Sequence, residues 1–133
     1  MKFSTKSTYG LRAMIRLAEN WKKESLSLSV IAKSENISQK YLERIFARLK
    51  TAKLIESEKG AGGGYKLSRS PSKINILEII DALEGKFAPF HCYTKSGKVV
   101  CSTSCNCGVT LVLNRIQTGI EDSLRNMSLN QLK

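Results

Sequence analysis

Four cysteines, Cys92, Cys101, Cys105 and Cys107, are the only ones in the chain, and the single histidine, His91, stands beside the first of them. Thiolates are soft, anionic donors that hold iron–sulfur clusters or zinc, and two neighbouring thiols can instead oxidise to a disulfide. The N-terminus carries no signal-peptide core and no apolar run approaches membrane-spanning length, so a cytoplasmic protein is expected. In that setting clustered cysteines point to metal or redox chemistry before a disulfide framework. Zinc is the weaker metal, because the spacing lacks paired Cys-x-x-Cys knuckles. Iron–sulfur ligation, thiol redox chemistry, zinc and unliganded cysteines all stay open at this point.

A second constellation runs from Ser38 to Lys50. Leu42, Ile45, Phe46 and Leu49 recur at helical spacing and give one buried stripe, with Ser38 placed to cap the first turn. The opposite face carries Gln39, Lys40, Glu43, Ala47, Arg48 and Lys50. It is polar and mostly basic, as the helix of a helix-turn-helix that reads a DNA major groove must be.

The elements around it fit that purpose. Residues Thr5 to about Trp21 read as a first helix, capped by Ser4 or Thr5, with Tyr9, Ala13, Leu17 and Trp21 in one apolar row. Lys6, Arg12 and Arg16 lie off that row, free to reach phosphates or to remain solvated. Lys22–Ser27 reads as a loop, and a short helix follows from about Leu28 to Ser34, capped by Ser27. Glu35, Asn36 and Ile37 form a tight turn in which Asn36 can take the left-handed conformation. Short helix, turn and longer basic helix make a helix-turn-helix.

After Lys53, a weakly alternating Leu54–Glu58, a glycine run from Gly60 to Gly64 and then Tyr65–Ser68 read as strand, loop, strand: a wing. Ser70-Pro71-Ser72 breaks the chain, and a helix from Ile76 to Glu84 ends at Gly85. Residues 86–107 lack periodicity and hold every cysteine. From about Gly108 a long helix places Val109, Leu113, Ile116, Ile120, Leu124 and Met127 in a continuous seam. So small a domain has little chain left to cover that seam, so pairing with a second copy is expected, with packing on the first helix as the alternative. A short helix, Leu129 to Leu132, with Ser128 as cap, closes the chain.

Charge follows the same division. The net charge is +11, and residues 1–73 hold 16 basic against 6 acidic side chains, while residues 74–133 hold 6 against 5. The excess coincides with the helix-turn-helix, where a positive field favours DNA through phosphate neutralisation and counterion release. An anionic membrane surface fits less well, because the basic residues are not gathered on one amphipathic helix.

Three motifs, taken together, resemble the Rrf2 family of bacterial winged-helix regulators. They are Phe3-Ser4-Thr5-Lys6-Ser7-Thr8-Tyr9-Gly10-Leu11-Arg12-Ala13, Ile37-Ser38-Gln39-Lys40-Tyr41-Leu42-Glu43-Arg44-Ile45-Phe46, and Gly60-Ala61-Gly62-Gly63-Gly64-Tyr65. The resemblance implies a homodimer on a pseudo-palindromic duplex DNA operator, acting as a transcriptional regulator, in the first instance a repressor. It assigns Ser38, Lys40, Tyr41 and Glu43 to the major groove or backbone, and Lys59, Gly62 and Gly63 to the wing; Lys6, Tyr9, Gln39 and Arg44 complete the expected DNA-binding set. Relatives often have Arg at the position of Lys59, and lysine lacks the planar fork of guanidinium.

Cluster-binding members of the family place three cysteines between the winged domain and the long helix, so the resemblance also implies an iron–sulfur site, of the [2Fe–2S] type. The five-residue gap between Cys101 and Cys107 matches a spacing seen in such members, whereas Cys92 lies further upstream than usual. Two usual fourth ligands are missing. Thr110 stands where some members have histidine, and Thr8 where others have an acidic residue. Cys105 is the substitute, giving Cys92, Cys101, Cys105 and Cys107 as the metal set, with His91 the runner-up.

The expectation is a mainly α protein: a winged helix-turn-helix domain over residues 1–85 with a small β wing, a cysteine-rich sensor loop over 86–107, and a dimerisation helix with a short terminal helix over 108–133. Its expected function is DNA-binding regulation that senses cluster supply, nitric oxide or redox state. A thiol-based regulator of redox or cysteine status is the alternative, and a metal or cluster carrier docking an acidic protein is the competitor from another class. An enzyme is the least supported class, since the chain has no nucleophile elbow, nucleotide fingerprint or paired-carboxylate motif.

Overall fold

The computed structural model describes residues 3–86 and 107–133. Helix α1 (Thr5–Glu19) leads into α2 (Leu28–Glu35) and α3 (Gln39–Thr51); a hairpin of β1 (Ile55–Glu58) and β2 (Gly64–Leu67) follows, then α4 (Ile76–Glu84) and α5 (Gly108–Arg125). Single 3₁₀ turns at Pro71–Lys73 and Leu129–Leu132 complete the described elements. His91, Cys92, Cys101 and Cys105, and with them most of the expected sensor loop, lie outside the described residues.

Local chemistry sets the helix ends. Ser4, Ser27 and Ser38 each cap a helix by accepting a backbone N–H through the side chain. Asn75 and Glu78 form a reciprocal capping box at the start of α4, which ends at Gly85 as its sequence indicates. Asn36 takes the left-handed conformation at φ 53° and closes α2, as the turn requires. Helix α1 stops at Glu19, two residues before Trp21, with Asn20 as C-cap.

The core runs through all of these pieces. Met14, Ile31, Leu42, Ile45, Phe46, Leu49, Leu54, Ile79 and Leu83 are fully buried, so α1, α2, α3 and α4 pack around one apolar centre. Leu129 belongs to the same cluster. It is brought there by an antiparallel bridge between Asn75 and Ser128, with Ile76 N–H donating to the Met127 carbonyl at 2.9 Å and Leu129 N–H to Ile74 at 2.8 Å. The end of the chain is therefore stitched to the start of α4.

The hairpin pairs Ile55 with Leu67 and Glu58 with Gly64. The stretch read as the loop Lys22–Ser27 contributes to it: Leu26 and Tyr65 exchange backbone hydrogen bonds at 2.9 and 2.7 Å, a one-residue third strand. A single bridging residue has no alternation to read, which is why periodicity does not reveal it.

Helix α5 lies along α4, and its one fully buried side chain is Leu113. Ile116, Ile120 and Leu124 are half-buried, whereas Val109, Leu111, Val112 and Met127 stay exposed. The expected continuous seam is thus divided. Its middle packs on α4, while Val109 and Met127 at its two ends are exposed.

Candidate nucleic-acid interface

Helix α3 presents Gln39, Lys40, Glu43 and Arg44 to solvent while Leu42, Ile45, Phe46 and Leu49 are buried beneath them. The Ser38 hydroxyl accepts the Tyr41 N–H at 3.4 Å, so it stands at the mouth of the first turn where the free N–H groups lie. Tyr41 is half-buried, edge-on to Tyr9 with ring centroids 5.8 Å apart, and the Arg12 guanidinium lies 5.9 Å above the Tyr9 ring. Tyr9 thus supports Tyr41 from α1.

Three cations converge beside that pair. Lys6, Arg44 and Arg48, with Tyr41 and Ile45, line a hollow of about 230 Å³. Its walls thus combine three cationic side chains with a phenol and the aliphatic Ile45. Lys6, Lys40, Arg44 and Lys59 take part in no salt bridge among the described residues.

Arg12 and Arg16 have a different role from the one open to them in the sequence. Arg12 Nε lies 3.1 Å from Glu35 Oε2 and Arg16 Nε 3.2 Å from Glu35 Oε1, while Arg12 Nη2 donates to the Glu35 carbonyl at 2.6 Å. The two arginines clamp the end of α2, and so the turn of the helix-turn-helix, onto α1. The signal was present in the sequence, since Arg12 and Arg16 are four apart and so share one helical face. Nothing local marks Glu35 as their partner.

The wing is anchored to α3. Phe46 and Tyr65 meet edge-on at 4.8 Å, and Lys50 Nζ donates to Ser57 Oγ at 2.8 Å. Lys50 is therefore spent on the wing, and Arg48 Nη1 donates to the Leu83 carbonyl at 3.1 Å. Within the hairpin Lys66 bonds Glu58; that hydrogen bond holds the Glu58 carboxyl below its usual pKa and the Lys66 ammonium above its own. At the loop Gly60 adopts φ 111°, a region open to glycine, and its carbonyl accepts the Gly63 N–H at 2.9 Å. Of the other expected wing residues, Lys59 and Gly62 are exposed and Gly63 is half-buried; the Gly62 carbonyl accepts from Ser25 Oγ at 2.9 Å.

Of the candidate metal ligands, Cys107 alone lies within the described residues: it is exposed at the N-cap of α5. Thr110, in the first turn, donates its N–H to the Cys107 carbonyl at 2.9 Å. Among the described residues no group of three or more His, Cys, Asp or Glu is placed to hold a metal ion. No described helix is long and apolar enough to cross a membrane.

A short helix, a left-handed turn, a longer basic helix and an anchored two-stranded wing define a winged helix-turn-helix DNA-binding protein. The model of the Rrf2 family, described as iron-dependent transcriptional regulators, matches residues 3–133, and the chain belongs to that family. It is 33% identical over 132 residues to an HTH-type transcriptional regulator of Neisseria meningitidis, spanning 99% of this chain and 87% of that one. Among solved structures it superposes on CymR, "the Global Cysteine Regulator of B. subtilis", with TM-score 0.83 and 34% identity, covering 99% of this chain and 95% of CymR. It also superposes on IscR of T. potens with TM-score 0.78 and 34% identity, covering 99% and 86%. The relatives are transcriptional regulators and not enzymes.

Proposed function

We propose that the protein is a homodimeric transcriptional repressor whose winged domains bind a pseudo-palindromic duplex operator, with an affinity set by the state of its cysteine cluster. The observation that supports the DNA reading is that Lys6, Lys40, Arg44 and Lys59, which take part in no salt bridge among the described residues, stand on α1, α3 and the wing, elements held together by packing and hydrogen bonds. The N-terminal turns of α3 would enter a major groove, with Gln39, Lys40 and Glu43 facing base edges. Lys6 and Arg44 would sit on phosphates, and the wing loop with Lys59, Gly62 and Gly63 would reach a minor groove.

Dimerisation would use the part of α5 that its own protomer does not cover. Leu111 is 74% exposed, Val109 58% and Val112 57%, an apolar surface that a second copy would bury.

The donor set Cys92, Cys101, Cys105 and Cys107 fits a [2Fe–2S] cluster chemically, since four thiolates satisfy its ligand count. When bound, a cluster supplies a group whose assembly and loss follow iron, oxidation or nitric oxide. The remaining work belongs to the chain, whose cysteine segment joins α4 to α5, so its state biases the tilt of the two winged domains. A thiol-based regulator of redox or cysteine status is the second reading. It is favoured by Thr8 and Thr110 at the positions of two usual non-cysteine ligands.

Absorbance of protein purified without oxygen, with iron and acid-labile sulfide assays alongside, separates the two. Visible charge-transfer bands with iron and sulfide near two per chain support the cluster. A colourless protein that resists reconstitution moves the function to thiol chemistry.

A further inference from the structure

The last turn of α4 is bonded to both helices that carry the basic surface. Glu84 Oε1 accepts the Ser4 backbone N–H at 3.0 Å, the Ser7 hydroxyl at 2.7 Å, and the Ser4 hydroxyl as well. The Ser4 oxygen in turn accepts the Lys6 N–H at 3.2 Å, so a continuous chain of hydrogen bonds runs from the carboxylate to the backbone of Lys6. One residue earlier, the Leu83 carbonyl accepts from Arg48, which shares its hollow with Lys6, Tyr41 and Arg44.

The surrounding geometry leaves this turn little freedom. A Cβ on Gly10 would fall 2.2 Å from Leu83 Cδ1, so α1 packs tightly on α4 there. Gly85 follows at φ 86°, and Lys86 Nζ donates to Asp81 at 2.8 Å, which fixes the point where the chain leaves α4. Burial of Leu83 and its neighbours does not need the Glu84 carboxylate, which lies at the exposed rim. What the carboxylate adds is a partner for the N–H and hydroxyl groups of the first turn of α1, where the helix end favours negative charge.

We propose that Glu84 is a positioning residue for DNA binding: it holds the first turn of α1, and with it Lys6, in register with α3. The inference rests on the DNA-binding reading above.

The test measures affinity by fluorescence anisotropy for a duplex that the wild-type protein selects from a random-sequence pool, using the full chain. Glu84→Ala should weaken binding about tenfold, the scale of one charged hydrogen-bond partner. Glu84→Gln, which keeps an acceptor oxygen, should recover part of the loss. In a double-mutant cycle with Lys6→Ala the losses should not multiply, because both act through the same first turn. Ser7→Ala removes one donor without touching the carboxylate; it should show a smaller loss with the same non-additivity, should Glu84→Ala prove too unstable to purify. Wild-type affinity in all Glu84 and Ser7 variants, or losses that multiply with that of Lys6→Ala, overturns the inference while leaving DNA binding intact. A wild-type protein that selects no duplex overturns the reading beneath it.

Discussion

The two ends of the chain treat apolar surface in opposite ways. From α1 to α4 the large apolar side chains are buried in a shared core, and the exceptions among them are few. Along α5, Leu113 alone is fully buried, and Val109, Leu111 and Val112 project into solvent. The same division holds for charge. The winged half keeps Arg12 and Arg16 on Glu35 for its own architecture, while Lys6, Lys40, Arg44 and Lys59 form no salt bridge among the described residues. The first region carries a closed apolar core beneath a basic surface, and the second carries exposed apolar side chains. On the proposed reading the first meets a polyanion and the second another copy of the chain.

Substitutions should sort by region. Phe46→Ala removes a ring that fills the core and props Tyr65, so urea unfolding should show a loss of about 3–5 kcal/mol, and the wing should lose its anchor. Replacing Leu111 with lysine should leave the far-ultraviolet circular dichroism spectrum unchanged, yet shift sedimentation from dimer to monomer, because burying an unpaired charge in an apolar interface costs several kcal/mol. Unfolding of the winged half by Leu111→Lys, or an intact dimer, would break the division.

Within the winged half the cations should separate by role. Lys40→Ala should cost about 1–3 kcal/mol on the selected duplex and much less on random duplex, read by anisotropy, whereas Lys6→Ala should weaken both alike and flatten the salt slope by about one unit.

The smallest effect is a pH dependence at the junction of α1 and α4. Burial pushes the Glu84 carboxyl up, but hydrogen bonds from Ser4 and Ser7, with the charge of Lys6, outweigh it and hold the pKa below the ordinary carboxylate value. A depressed folded-state pKa stabilises the fold above the ordinary carboxylate range and ceases to do so as pH falls through the lowered value. Melting of wild type and Glu84→Gln should therefore differ at neutral pH and converge in acid.

How far the sequence reveals these features depends on how local their causes are. Helix α4 ends where its pattern and Gly85 place the stop, Asn36 takes the left-handed turn, and Ser38 caps α3, because each is settled within a few residues. The clamp on Glu35, the Leu26 bridge to Tyr65 and the bonds from Ser4 and Ser7 to Glu84 join positions 19 to 80 apart in the chain. No periodicity encodes them. The basic residues were legible as a population, but Arg12, Arg16, Arg48 and Lys50 became structural only once their partners were in place.

One titration tests cluster-controlled DNA binding most directly: the selected duplex against protein reconstituted with iron and sulfide, and against the same protein stripped of both, over a range of salt. Salt-steep, sequence-specific binding whose affinity differs between the two preparations is the predicted result. Equal affinity in the two would remove the cluster from control of DNA binding, and equal affinity for selected and random duplex would contradict the regulator itself.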